Sequence, residues 1–174
     1  QYKDLLYFMV LRDVSVLYKQ TILGFAWAVI NPVFSMVVFT IVFGKLASVP
    51  SDGIPYAVFS YTALIPWTYF SGAMNASGNS LISTANIFTK VYFPRIIIPL
   101  TPVLSKLMDF VISFMILIVM LFYYRLMPGM NVLYLPILIV IMIMTTAGIG
   151  MWLSALAIQY RDVKFAITFI TPLM

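Results

Sequence analysis

The chain has 174 residues, 63% of them hydrophobic and 9% charged, with ten Lys and Arg against five acidic residues, a net charge of +5 and a mean hydropathy of +1.06. A soluble domain carries about 25% charged residues, so this composition excludes one, and the absence of Cys and His excludes disulfides, thiolate or imidazole metal centres and imidazole acid–base chemistry. The basic residues are scattered between apolar runs and form no stripe of the kind a nucleic-acid backbone requires, so nucleic acid is not an expected partner.

Residues 1–22 carry Lys3, Asp4, Arg12, Asp13 and Lys19, too many charges for a membrane span and too few for a solvated loop. On a helix Leu6, Val10, Val14, Leu17 and Thr21 share one side, while Arg12, Ser15 and Lys19 share the other. The pattern predicts an amphipathic helix lying on the membrane surface, with packing on protein as the alternative; Tyr7 and Tyr18 favour the lipid interface.

The first span is expected at about 23–46, charge-free up to Lys45, with Trp27 near its start and a bend at Asn31-Pro32. After a turn-rich loop, SVPSDGIP, the second span covers about 57–80. Its second half, SGAMNASGNS, is rich in small and hydrogen-bonding residues, which predicts either tight packing against other helices or the lining of a pathway by residues such as Asn75 and Asn79.

Residues 81–99 form a loop with a short helix broken by Pro94. The third span runs about 102–124, with Lys106 and Asp109 placed to pair one turn apart. The fourth span covers about 132–157 and contains a close-packing patch at TTAGIG, where Ala147 and Met151 stand four apart with Gly148 and Gly150 between them. A fifth span is expected to start at about 165. The chain holds about ten residues of it, half of what a crossing needs, so a fragment of a longer permease-like chain is expected. The fold class is therefore all-α: a polytopic membrane helical bundle, with residues 23–174 as the transmembrane part, preceded by the interface helix.

Charge sets the orientation. With a cytoplasmic N-terminus, Lys3, Arg12, Lys19, Lys90, Arg95, Lys106, Arg161 and Lys164 lie inside and only Lys45 and Arg125 outside, a strong bias under the positive-inside rule. Three elements then face the cytoplasm: the amphipathic helix, the 86–95 loop and residues 159–164. Their mixed charged and aromatic character suits docking of a soluble partner, with headgroup anchoring as the plainer reading. The chain has no phosphate-binding Gly-x-x-x-x-Gly-Lys-Ser/Thr loop and no acidic residue in the middle of a charge-free run, so energy for any transport must come from a separate subunit. Trp27, Trp67, Tyr69 and Phe70 suit either the membrane interface or stacking on sugar faces.

The runs LRDVSVLYKQTILGFAWAVINP, YTALIPWTYFSGAMNASGNSL, NIFTKVYFPRIIIPL and ALAIQYRDVK resemble, in order and spacing across all 174 residues, the permeases of ATP-binding-cassette exporters for polysaccharides and polyol phosphates, such as O-antigen, capsule and teichoic acid exporters. The resemblance implies a six-span chain in the cytoplasmic (inner) membrane that works as a homodimer above two copies of an ATPase subunit, to which ATP and Mg bind, and that moves a lipid-linked polysaccharide outward. This chain would bind no cofactor and would not itself be an enzyme. By the same resemblance Arg12, Asp13, Tyr18, Lys19 and Gln20 belong to the interface helix and its junction with the first span. Asn86, Lys90, Tyr92, Phe93, Pro94 and Arg95 form or support the contact that couples to the ATPase, and Tyr160, Arg161 and Asp162 hold the cytoplasmic end of the bundle. The competing expectations are a drug or small-lipid exporter of the same architecture, a polytopic glycosyltransferase and a non-catalytic scaffold or channel.

Overall fold

The computed structural model describes residues 2–19, 26–46, 53–84, 94–127 and 129–170. Helix α1 (Tyr2–Lys19) is followed by α2 (Ala26–Phe39), which continues as a π-helical stretch over Thr40–Leu46. Then come α3 (Tyr56–Ser83), α4 (Ile97–Tyr123), a 3-10 turn (Met130–Tyr134), α5 (Leu135–Gln159) and α6 (Arg161–Ile170).

Helix α3 is the axis of the bundle, packed on α4 along one side and on α5 along another, with α2 and α6 at its flanks. Its core residues Val58, Tyr61, Ile65, Tyr69 and Ala73 recur at helical spacing and interlock with Phe110 and Leu117 of α4. Among the described residues, three helices are both long and apolar enough to cross a membrane: Ala26–Gly44, Ile97–Tyr123 and Met130–Gln159. Helix α3 has the length, 28 residues, but its polar second half lowers its hydropathy. Its central position explains how that half is accommodated, because hydroxyls and amides that would be costly against hydrocarbon are shielded by neighbouring helices.

Several boundaries differ from those expected. Helix α4 begins at Ile97, five residues before the expected 102, because its prolines fall where a helix tolerates them. Pro99 sits in the first turn, where its missing N–H had no intrahelical partner, and Pro102 removes only one bond just beyond it. After α5, a single extended residue, Tyr160 (φ −126°, ψ 112°), breaks the helix, and α6 starts at once at Arg161 instead of at 165. Helix α2 carries Pro32 in its interior and has no buried residue, so Asn31 and Trp27 point away from the described bundle.

Small residues set the spacing between α3 and α5. Ala147, Gly150, Ser154 and Ala157 are buried at three- and four-residue intervals, forming one stripe on α5. A Cβ at Gly150 would lie 2.5 Å from Ser77 Oγ and 2.8 Å from Ser77 Cβ, so the helices meet there at a distance only glycine permits. Gly148, part of the same sequence patch, has nothing within 4 Å and faces outward.

Candidate functional site

Where α3 ends and α4 begins, the two helices are joined by hydrogen bonds that cross between them. Ser77 Oγ donates to the Pro99 carbonyl at 2.7 Å, and Tyr69 Oη donates to the Val103 carbonyl at 3.1 Å. The accepting carbonyls lie four residues apart on α4, so the two bonds pin the hairpin at successive turns. Thr84 closes α3 by donating its N–H and hydroxyl to the Ser80 carbonyl, at 3.1 and 2.7 Å. On the other side, Pro94 and Arg95 form a turn whose carbonyls accept the N–H groups of Ile97 and Ile98, and both residues are exposed. Of the six residues expected to couple to an ATPase, Pro94 and Arg95 are thus described, at the base of α4. Asn86, Lys90, Tyr92 and Phe93 lie outside the described residues.

Helix α1 lies across the start of α4 and flanks a groove of about 480 Å³ that mixes apolar and polar side chains. Met9, Arg12, Asp13 and Val16, one face of α1, line one wall. Ala76, Ser80, Ser83 and Thr84 come from α3, and Ile98, Thr101, Pro102, Ser105 and Lys106 from α4. The Arg12 guanidinium donates to Asp13 Oδ1 through Nη2 at 2.9 Å and Nε at 3.2 Å, and Lys106 Nζ donates to Asp109 Oδ2 at 2.8 Å. The expected Lys106–Asp109 pair is therefore present and half-buried, with Lys106 lining the groove. On α1, Leu6, Val10 and Val14 are half-buried while Tyr7, Phe8, Leu11 and Val16 remain exposed, so the helix both rests on protein and keeps an apolar outer side. Tyr18 and Lys19 end this helix, and Gln20 is outside the described residues.

The remaining candidates separate. Trp67 and Phe70 stay partly exposed with ring centroids 6.2 Å apart, and Trp27 is exposed on α2. Tyr69 stands apart from both its readings: it is 3% exposed, its ring meets Phe110 edge-on at 5.6 Å and its hydroxyl is committed to α4, so it packs the core and presents no face to a sugar or to the membrane interface. Asn75 and Asn79 lie one turn apart, half-buried, with Asn79 Nδ2 donating to the Asn75 carbonyl at 2.9 Å, while the buried Asn79 Oδ1 has no partner among the described residues. Tyr160 and Asp162 are exposed at the α5–α6 junction, which Arg161 begins.

Sequence reasoning placed Ser77 in the small, hydrogen-bonding half of α3 but missed its bond to α4 and the groove hydroxyls as a group. Their signal was present in the spacing of Ser77, Ser80 and Ser83 along one side of α3.

Three helices long and apolar enough to cross a membrane, packed with others through small residues, define a multi-pass membrane protein. The chain matches the ABC-2 type transporter family over residues 4–174, and it belongs to that family. It is similar to the O-antigen export system permease protein RfbA of Myxococcus xanthus, 27% identical over 168 residues that make up 97% of this chain and 64% of the relative. Proteins of the same name from Klebsiella pneumoniae are 31% identical over 162 residues, 92% of this chain and 62% of theirs. The chain therefore spans somewhat less than two thirds of the length of these relatives.

Proposed function

We propose that this chain is part of the transmembrane subunit of an ATP-driven exporter that carries a lipid-linked polysaccharide of O-antigen, capsule or teichoic-acid type out across the cytoplasmic membrane. The subunit works as a homodimer with two copies of an ATPase, and its N-terminus is cytoplasmic. ATP hydrolysis belongs to the partner. The observation that carries the reading is the match, along nearly the whole chain, to relatives named as O-antigen export permeases. The α3–α4 hairpin supports the coupling step: with Ser77 and Tyr69 tying the two helices together, a push on the segment between Thr84 and Pro94 moves both as one lever. That segment carries Asn86, Lys90, Tyr92 and Phe93, with Arg95 just after it, and these residues have the aromatic and cationic character of interface anchors.

ATP turnover of the partner ATPase, measured with and without the full-length permease, tests this. The permease is expected to change the rate, and Tyr92→Ala, Phe93→Ala or Arg95→Ala should each weaken association by roughly thirtyfold, the loss of one anchor of about 2 kcal/mol. Association unchanged by all three substitutions refutes the coupling assignment. Orientation is tested separately by thiol labelling of intact cells. Cysteine at Met127, which is 96% exposed beyond α4, is expected to react from outside, and cysteine at Asp162 only after permeabilisation. The opposite pattern inverts the topology.

A further inference from the structure

The groove between α1, α3 and α4 has a chemistry that transport of a polymer does not account for. At about 480 Å³ it falls within the size range of small-ligand sites, roughly 300–1,000 Å³. Its depth follows from α4. Phe122 and Tyr123 are 79% and 81% exposed at the far end of that helix, the position of an aromatic girdle at a membrane interface. Lys106 lies 17 residues earlier, roughly 26 Å at 1.5 Å per residue, close to the thickness of a bilayer's hydrocarbon core of about 30 Å. The groove therefore sits at the headgroup layer of the opposite leaflet. Beside it, the exposed Tyr7, Phe8, Leu11 and Val16 of α1 offer an apolar surface to acyl chains.

The polar atoms in the groove select among headgroups. Among the described lining residues two cations, Arg12 and Lys106, stand with one carboxylate, Asp13, while Asp109 holds Lys106 from outside the lining, so the site presents both signs of charge. The hydroxyls among the described lining residues add acceptors and no donors, Thr101 Oγ1 giving its proton to the Ile97 carbonyl at 2.8 Å. Ser80 Oγ gives its proton to the Ser77 carbonyl at 2.6 Å, Ser83 Oγ to the Ser80 carbonyl at 2.9 Å, Thr84 Oγ1 to that same carbonyl and Ser105 Oγ to the Pro102 carbonyl at 3.2 Å. A hydroxyl has one proton and two lone pairs, so what remains for a ligand is lone pairs. A purely anionic headgroup would find two cations but would also meet Asp13 and a wall of acceptors. A choline headgroup has no N–H to give those acceptors. A headgroup carrying a phosphate and a primary ammonium matches both halves.

We propose that this groove binds a phospholipid with an ethanolamine headgroup, its phosphate held by Arg12 and Lys106 and its ammonium by Asp13 and the hydroxyl oxygens of Ser83 and Thr84. The site does not depend on the identity of any exported polymer. The test uses the full-length protein in nanodiscs of phosphatidylethanolamine, phosphatidylcholine and phosphatidylglycerol in equal parts, with retained lipid counted by native mass spectrometry. Phosphatidylethanolamine is expected to be enriched about tenfold over each of the others, the factor expected for a charge-assisted hydrogen bond. Retention should fall stepwise through the mono-, di- and trimethylated amines. Asp13→Asn should bring the ethanolamine-to-choline ratio close to one, whereas Arg12→Gln should lower retention of all phospholipids together. Equal retention of phosphatidylcholine, or a preference for phosphatidylglycerol that marks a plain anion site, overturns the proposal, as does an unchanged ratio in folded Asp13→Asn. Should that variant not purify, the methylation series on the unaltered protein decides, and a flat series overturns the proposal.

Discussion

Replacing Gly150 by leucine is expected to leave no monodisperse protein after detergent extraction, and Gly150→Ala to lower the apparent Tm measurably, at a cost of about 1–3 kcal/mol. The cause is the closeness of α3 and α5. A new Cβ would fall 2.5 Å from Ser77 Oγ and 2.8 Å from Ser77 Cβ, and Cβ cannot swing away as the end of a long side chain can, so the helices must separate. Separation would also disturb the bond from Ser77 to the Pro99 carbonyl, joining damage at α5 to the α3–α4 pair. The second substitution Ser77→Gly makes the cause explicit. It removes the clashing atoms and should recover part of the loss in Gly150→Ala, although it destabilises the protein when made alone; such non-additivity is the mark of residues in contact. Gly148→Ala is the control. With nothing within 4 Å of its Cβ position, it should be neutral or slightly stabilising, because alanine is the better helix former. Thermal-shift chromatography of these variants reads all of this, and equal effects at 148 and 150 would contradict the close approach.

Tyr69→Ala should cost about 3 kcal/mol or more, the range for emptying an aromatic site in a packed interior. The ring fills the seam between α3 and α4 against Phe110, and its hydroxyl ties the seam to the Val103 carbonyl. Tyr69→Phe separates the two contributions. It keeps the ring contact and removes only a bond to a carbonyl already placed within a helix, so its cost should be about 0.5–1.5 kcal/mol. Trp67, two residues away and partly exposed, gives the contrast: Trp67→Ala should change stability far less than Tyr69→Ala despite removing a larger side chain. A Tyr69→Ala protein as stable as Trp67→Ala would place Tyr69 outside the core.

The contrast between these adjacent aromatics shows where sequence was informative. The membrane class was legible, because long charge-free runs have one physical explanation, and so was the Lys106–Asp109 pair, which needs only helical spacing. Tyr69 and Trp67 look alike in a sequence, and only the packing direction of α3, which depends on two other helices, distinguishes core from periphery. The start of α4 was misplaced because prolines read as helix breakers, whereas Pro99 and Pro102 lie in its first turns. The small-residue patch of α5 was legible as close packing, but the glycine that bears the contact, Gly150 and not Gly148, depends on which side faces Ser77. For the groove, the serine spacing of α3 was readable, but its combination with hydroxyls of α4 and with α1 runs across long sequence separations that a local pattern does not reach.

The hydroxyls of this protein bear on how it is made. Thr62, Thr68, Thr145, Thr146 and Ser154 each donate to a carbonyl three or four residues back in their own helix, as do those around the groove. A segment whose side-chain protons are satisfied internally can leave the translocation machinery and enter lipid alone, without waiting for a neighbour. Ser77 and Tyr69 are different, since their protons are accepted only by α4. Helix α3 is thus the segment whose entry into lipid is best delayed until α4 has been synthesised, which would make these two helices the first tertiary unit to form on the ribosome-bound chain.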